Sequence, residues 1–250
     1  MGRPSTAEWH AYLRHFHHDR PGITEAVLSR ARGHGQTPYE WLIDGLDHGD
    51  RVVDLACGSG PTRHLTGPAW IGLDASHDEL AARGPPAQRA VAQGDLTELP
   101  VRSGACDTAV CSMALMLVDP LAAAVAEIRR IVRPGGTLRL LLPARRPLTP
   151  VDLARYASLA AALGTTTWFP PSRLGRNPGR FLQRAGLTVT ADDRRRFSYP
   201  LHTADDAALL VDSLYLPGVG PPRRQAARRI AVGWTGTDIG LPLHRILAQV

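Results

Sequence analysis
Asp54, Asp74 and Asp95 recur at near-even spacing, and each follows a short apolar run: "RVVD", "WIGLD" and "AVAQGD". A carboxylate at the carboxyl end of a strand faces the crevice where open α/β sheets bind ligands. Just after the first of them, Gly58-Ser59-Gly60 makes a turn that lets backbone approach a ligand closely. Three ligand readings compete for this turn. A dinucleotide site wants a third glycine, where this chain has Arg63. It would also lay a pyrophosphate beside Asp54, and like charges within about 4–6 Å oppose one another. A purely structural strand-to-helix turn is the second reading, since such turns often contain glycine.

The third is a cation without phosphate. S-adenosylmethionine carries a sulfonium, an ammonium, a ribose and an adenine. Asp54 would then sit beside the ammonium, with Ala56, Gly58 and Gly60 close to the amino-acid moiety. Asp74, with Ala75 after it, would take the ribose hydroxyls. Asp95 would accept from the adenine amino group, and the Leu96 N–H would donate to the ring. These stretches resemble the class I (Rossmann-like) S-adenosylmethionine-dependent methyltransferases, small-molecule branch. "VVDLACGSG" is similar to that family's first motif, with Ala56 where it usually has glycine. "GLDAS", "QGDLTELP" and "VRPGGTLRLLLP" resemble its later motifs, so the likeness covers roughly residues 48–145. The resemblance implies methyl transfer, S-adenosylmethionine as cofactor, and Ser112 and Met113 at the methionine end of the site.

Positioning such residues requires strands that alternate with helices. From Arg51 to Pro143, apolar runs of strand length alternate with helical segments, which predicts a doubly wound, mostly parallel α/β sheet of seven strands with helices on both faces. One helix is expected from Pro61, another at His77–Arg83, and "RPGG" at Arg133–Gly136 is expected to end a helix and reverse the chain. Ahead of the sheet, Trp9, Tyr12, Leu13 and Phe16 fall at i, i+3, i+4, i+7, the apolar stripe of a helix. "TPYE" at Thr37–Glu40 is a capping box with proline at the first helical position. Residues 1–45 are thus expected to form a helical cap acting as a substrate lid. Residues 46–250 would be the main domain, with insertions at about 146–180 and 202–236. After Pro143 a helix is expected at Val151–Leu163, then a proline-rich crossing, "WFPPSRLGRNPGR", and a long strand, "GLTVTADDRRRFSYPL". Helices at Asp205–Leu214 and Pro222–Val232 would precede a last strand, "GLPLHRILAQV".

The 29 basic side chains are all arginine, and lysine is absent, which excludes a lysine phosphate loop and Schiff-base chemistry. A net charge of +6 raises nucleic acid as a partner and RNA methylation as an alternative function. Against it, "AVCSMALMLVDP" lacks the Asp/Asn-Pro-Pro-aromatic motif of adenine methyltransferases, and neither Cys106 nor Cys111 follows a proline. The arginines also fall in scattered pairs. A small-molecule acceptor, such as a bacterial secondary metabolite, is the expectation; a relative of the fold that binds cofactor without methyl transfer is a further alternative. His15 and His17 are the candidate proton acceptors, and Tyr12, Tyr39 and Arg145 the candidate substrate contacts. The histidine spacing does not suit a metal, so none is expected. Three cysteines without a CxxC pair, and no membrane span or signal segment, suggest a cytoplasmic protein, monomer or homodimer.

Overall fold
The computed structural model describes residues 5–81, 90–165, 174 and 177–250. Five strands run parallel: β1 (Val52–Leu55), β2 (Trp70–Asp74), β3 (Val91–Gln93), β4 (Cys106–Ser112) and β5 (Val132–Pro143). Two long strands, β6 (Thr188–Leu201) and β7 (Thr237–Gln249), complete a seven-stranded sheet in the order β3-β2-β1-β4-β5-β7-β6. β7 lies antiparallel to both of its neighbours. The doubly wound, mostly parallel sheet is as expected from the alternation of runs.

Alternation along the strands divides the interior in two. Val53 and Leu55 of β1, Ala109 and Cys111 of β4, and Leu140 and Leu142 of β5 face one layer. It is filled from α5 (Leu121–Ile131), whose Leu121, Ala124, Val125, Ile128 and Ile131 keep helical spacing, and by Leu182 of α7 (Pro178–Arg184). Val52, Val110 and Leu141 face the other layer, with α3 (Pro38–Ile43), α6 (Pro150–Leu163), α8 (Ala204–Asp212) and α9 (Pro221–Val232). The remaining helices are α1 (Thr6–Asp19), α2 (Ile23–Leu28) and α4 (His77–Ala81). The Thr37–Glu40 capping box forms with both of its bonds.

The helix expected from Pro61 does not form. Residues 57–66 make successive turns, in which Arg63 N–H donates to Gly60 and both Leu65 and Thr66 donate to Thr62. The Thr62 hydroxyl donates to the Asp54 carboxylate and accepts from the Trp70 indole N–H at 3.1 Å, which draws the segment onto the strand ends. Gly67-Pro68 then closes it before helical turns can accumulate. "RPGG" behaves differently too: α5 passes into β5 at Val132, and Arg133–Gly136 form a bulge inside the strand. Cys106 pairs with Val132 but Thr108 with Thr137, and a side chain at Gly136 would meet the Asp107 carbonyl at 2.5 Å. Most of "WFPPSRLGRNPGR", and Ala82 and Arg83 of the expected second helix, lie outside the described residues.

Candidate active site
A cavity of about 680 Å³ opens over the carboxyl ends of β1, β2 and β4. Its floor begins with the turn after β1. Ala56, Gly58 and Gly60 adopt φ of 51°, 50° and 81°, the left-handed region that favours glycine, so Ala56 carries strain that a glycine there would lack. Cys57 N–H donates to the Leu73 carbonyl at 2.9 Å and ties the turn to β2. Asp74, at the end of β2, accepts from Gly58 N–H at 2.7 Å on one oxygen and from Ser76 N–H at 2.8 Å on the other. Burial pushes its carboxyl above the ordinary range, and those two backbone bonds oppose the rise. Each carboxylate oxygen keeps a second lone pair for a ligand hydroxyl.

Two buried hydroxyls, Ser59 Oγ and Ser112 Oγ, have no hydrogen-bond partner among the described residues, and both residues line the cavity. Buried polar groups are nearly always paired, so hydroxyls left open in a cavity wall fit a ligand that pairs them. Ser112 ends β4, and Met113 follows at φ 58°. Leu96, Ala75 and Asp54 also line the space. The donor set suits a ligand with ribose and amino-acid groups and no phosphate.

Overhead lie α1 and its junction with α2. Leu13, Arg14, His15, His17, Gly22 and Thr24 line the cavity from that side, and Tyr39 of α3 and Tyr215 after α8 join them. His17 Nδ1 lies 2.8 Å from Glu79 Oε1 and its Nε2 lies 3.1 Å from the Tyr215 hydroxyl. His15, more exposed, turns its Nδ1 to the Ala11 carbonyl at 2.8 Å. His18 reaches Asp78 at 2.9 Å, and that carboxylate raises its pKa.

Asp95, Gly60, Tyr12 and Arg145, expected at the site, are not among the residues that line this cavity. Asp95 is exposed and folds back on Thr97, accepting from its N–H at 2.7 Å and its hydroxyl at 2.6 Å, which lowers its pKa. Gly60 shapes the turn from behind, donating to the Cys57 carbonyl. The Tyr12 hydroxyl accepts from Leu216 N–H at 2.8 Å, holding α1 to the segment after α8. Arg145 is exposed just past β5. Conversely, Glu79 and Tyr215 were not expected. Glu79 reads locally as an acid in the first turn of a short helix, and nothing near Tyr215 marks it in the sequence. Among the described residues no cluster of His, Cys, Asp and Glu is arranged to hold a metal ion.

A methyltransferase-domain family model matches residues 53–140, from β1 into β5. The chain carries a class I methyltransferase domain. S-adenosylmethionine is the cofactor of this domain, and the wall just described fits it. The demethylmenaquinone methyltransferase of Beutenbergia cavernae is 34% identical over 114 residues, which are 43% of this chain and 47% of that protein. An uncharacterized 37.1 kDa protein in transposon TN4556 of Streptomyces fradiae is 36% identical over 109 residues, 39% of this chain and 32% of its own. The chain therefore spans less than half the length of each of these relatives, 32% of one and 47% of the other. Its fold matches the crystal structure of the [4+2]-cyclase SpnF with a TM-score of 0.60, over 100% of this chain and 98% of that one, at 16% identity.

Proposed function
We propose that the protein transfers a methyl group from S-adenosylmethionine to an oxygen, nitrogen or carbon atom of a small molecule, a bacterial secondary metabolite being the class that we favour. One observation carries this reading. The strand-end carboxylate of Asp74 and the unpartnered hydroxyls of Ser59 and Ser112 face one cavity, and α1 covers it. A volume of about 680 Å³ falls within the roughly 300–1,000 Å³ of small-molecule sites, and its lining carries Asp54, Asp74, Asp78 and Glu79 rather than the run of cations that binds a nucleic-acid backbone. The demethylmenaquinone methyltransferase, by its name, acts on a small quinone, which agrees with this choice.

When bound, S-adenosylmethionine supplies an electrophilic methyl group on sulfur. Asp74 would accept from the ribose hydroxyls, as Ser59 and Ser112 meet the amino-acid end beside the left-handed turn. Leu13 and Leu117 would exclude water from the reacting centre. Within residues 1–45, α1 and its junction with α2 act in this reading as the lid, α3 belongs to the wall, and the rest is the methyltransferase body, working in the cytoplasm as a monomer or homodimer. Cys106 and Cys111 are free, buried thiols, in keeping with a reducing compartment. Calorimetry tests the reading: S-adenosylmethionine and S-adenosylhomocysteine should bind at micromolar levels and NAD should not. Binding of NAD alone would overturn it.

A further inference from the structure
The roof of the cavity holds a second constellation, to which the methyl-transfer reading gives no part in holding the cofactor. Glu79 is almost fully buried, with a side chain 8% exposed. Its Oε2 accepts from Gly22 N–H at 2.9 Å and its Oε1 faces His17 Nδ1 at 2.8 Å. An ionised carboxylate only accepts, so Nδ1 bears the proton and Nε2 presents a lone pair. That lone pair faces the Tyr215 hydroxyl at 3.1 Å, so the phenol donates to it. The order is carboxylate, imidazole, hydroxyl, which is the logic by which a base activates a hydroxyl and a third group fixes the base. All three residues line the cavity.

Resting on the methyl-transfer reading, we propose that Glu79, His17 and Tyr215 form a proton relay, and that the acceptor is an apolar molecule with an ionisable hydroxyl, a phenol or an enol. The acceptor's O–H bond breaks and its proton passes to the phenolic oxygen of Tyr215, as the phenol's own proton passes to His17 Nε2. The freed oxygen pair of the acceptor bonds to the methyl carbon, and the electron pair of the broken carbon–sulfur bond stays on sulfur. His17, now an imidazolium paired with Glu79, returns its proton to water through the 24% of its side chain that is exposed. Tyr215 is the catalytic residue of this relay, because both nitrogens of His17 are already engaged and Tyr215 itself lines the cavity. His17 and Glu79 act through it.

The surroundings agree with both halves of the proposal. Phe16 packs edge-on to Tyr215 at 4.7 Å, and Leu13 and Leu117 pack on the same cluster while lining the cavity, so the acceptor's body meets hydrocarbon. Thr24 hydrogen-bonds the phenol, and Asp74, Glu79 and Tyr12 are the ionisable groups whose charges reach it. Burial holds the phenol's own pKa well above its ordinary value, so it passes a proton on rather than resting as phenolate.

4-Nitrophenol, whose colour reports its ionisation, tests the relay without turnover. In the full-length protein saturated with S-adenosylhomocysteine, the bound probe should ionise about one pH unit below the free probe, a tenfold shift. Tyr215→Phe should abolish that shift, and Glu79→Gln should reduce it. Both variants should keep the wild-type affinity for S-adenosylhomocysteine, as a relay group apart from the cofactor requires. In turnover, His17→Gln and Tyr215→Phe should lower kcat by about a hundredfold, leaving KM for S-adenosylmethionine unchanged. A shift that persists in Tyr215→Phe overturns the relay, as does a probe that ionises as it does in water or fails to bind at millimolar concentration. Failure of S-adenosylhomocysteine to bind would overturn the methyl-transfer reading itself.

Discussion

The two helical halves of the first fifty residues are attached to the sheet in opposite ways. α3 is built into the main core: Trp41 and Leu42 are fully buried beside Phe197 and Leu141. Arginines from the sheet grip its carboxyl end. Arg139 donates to the carbonyls of Leu42, Asp44 and Gly45, and Arg245 donates to that of Trp41 at 2.7 Å. The guanidiniums of Arg195 and Arg245 also lie over the Trp41 ring, 4.7 and 4.8 Å from its centroid. α1 has no such hold. Trp9 and Phe16 form a small cluster of their own with Ile23 and Tyr215, and contacts to α4 run through the pairs His17–Glu79 and His18–Asp78. Helix ends capped by cations and rings fix a wall. α1 is held instead by its own aromatic cluster, the Tyr12–Leu216 bond and two polar pairs, so we expect that side of the site to be the movable one.

Deleting residues 1–22 should have the largest effect, since it removes the movable side altogether. Methyl transfer should vanish, yet the thermal unfolding of the Arg51–Pro143 body should persist as a cooperative transition. Normal turnover by the truncated protein would make the cap merely structural. On the fixed side, Trp41→Ala should cost about 3–5 kcal/mol of stability in urea unfolding. A loss no larger than that of Trp9→Ala would erase the contrast between the helices.

Between the two, Asp74→Ala should weaken cofactor binding at least about tenfold, because it deletes charge-assisted bonds worth roughly 1.5–3 kcal/mol each. Calorimetry that finds wild-type affinity would place the ribose elsewhere. The ionised form is the one that accepts, and burial raises the folded pKa. Cofactor affinity should therefore be present at neutral pH and decline on acidification, beginning at a higher pH than an ordinary aspartate would give. The smallest effect belongs to His18, whose folded pKa is raised by Asp78. Its contribution is complete below the unfolded histidine value of about 6.5 and is lost as pH rises through the folded one. Hydrogen exchange of α1 should quicken slightly over that interval in the wild type and stay flat in His18→Asn.

Local chemistry made much of this legible in the sequence. Thr37, Pro38 and Glu40 specify their helix start within four residues, and the apolar runs that end at Asp54 and Asp74 specify strand ends with acceptors facing a crevice. Ser112 follows from the family pattern. What escaped depends on distant partners. The turn after Pro61 is held by Trp70 and Asp54, and only the folded sheet brings them to Thr62. Tyr215 meets His17 across a separation of 198 residues, so neither spacing nor periodicity could join them. Asp95 shows the reverse case: its place after a strand suggests a ligand contact, and the structure turns one of its oxygens to a threonine two residues on, as short polar side chains often do.

The position of β7 bears on how the protein is made. β6 pairs with β7 along its whole length, and β7 alone links it to β5. The two strands are separated by α8 and α9, so β6 leaves the ribosome and must wait without its ladder partner, with only the Arg32–Ser198 bridge open to it, while both helices are synthesised. During that interval the nascent chain exposes the edge of β5 and a bare fourteen-residue strand, the kind of surface on which chains recruit one another. Arg194, Arg195 and Arg196, in the middle of β6, put three consecutive cations on that strand, and charged side chains along an exposed strand discourage pairing with other chains.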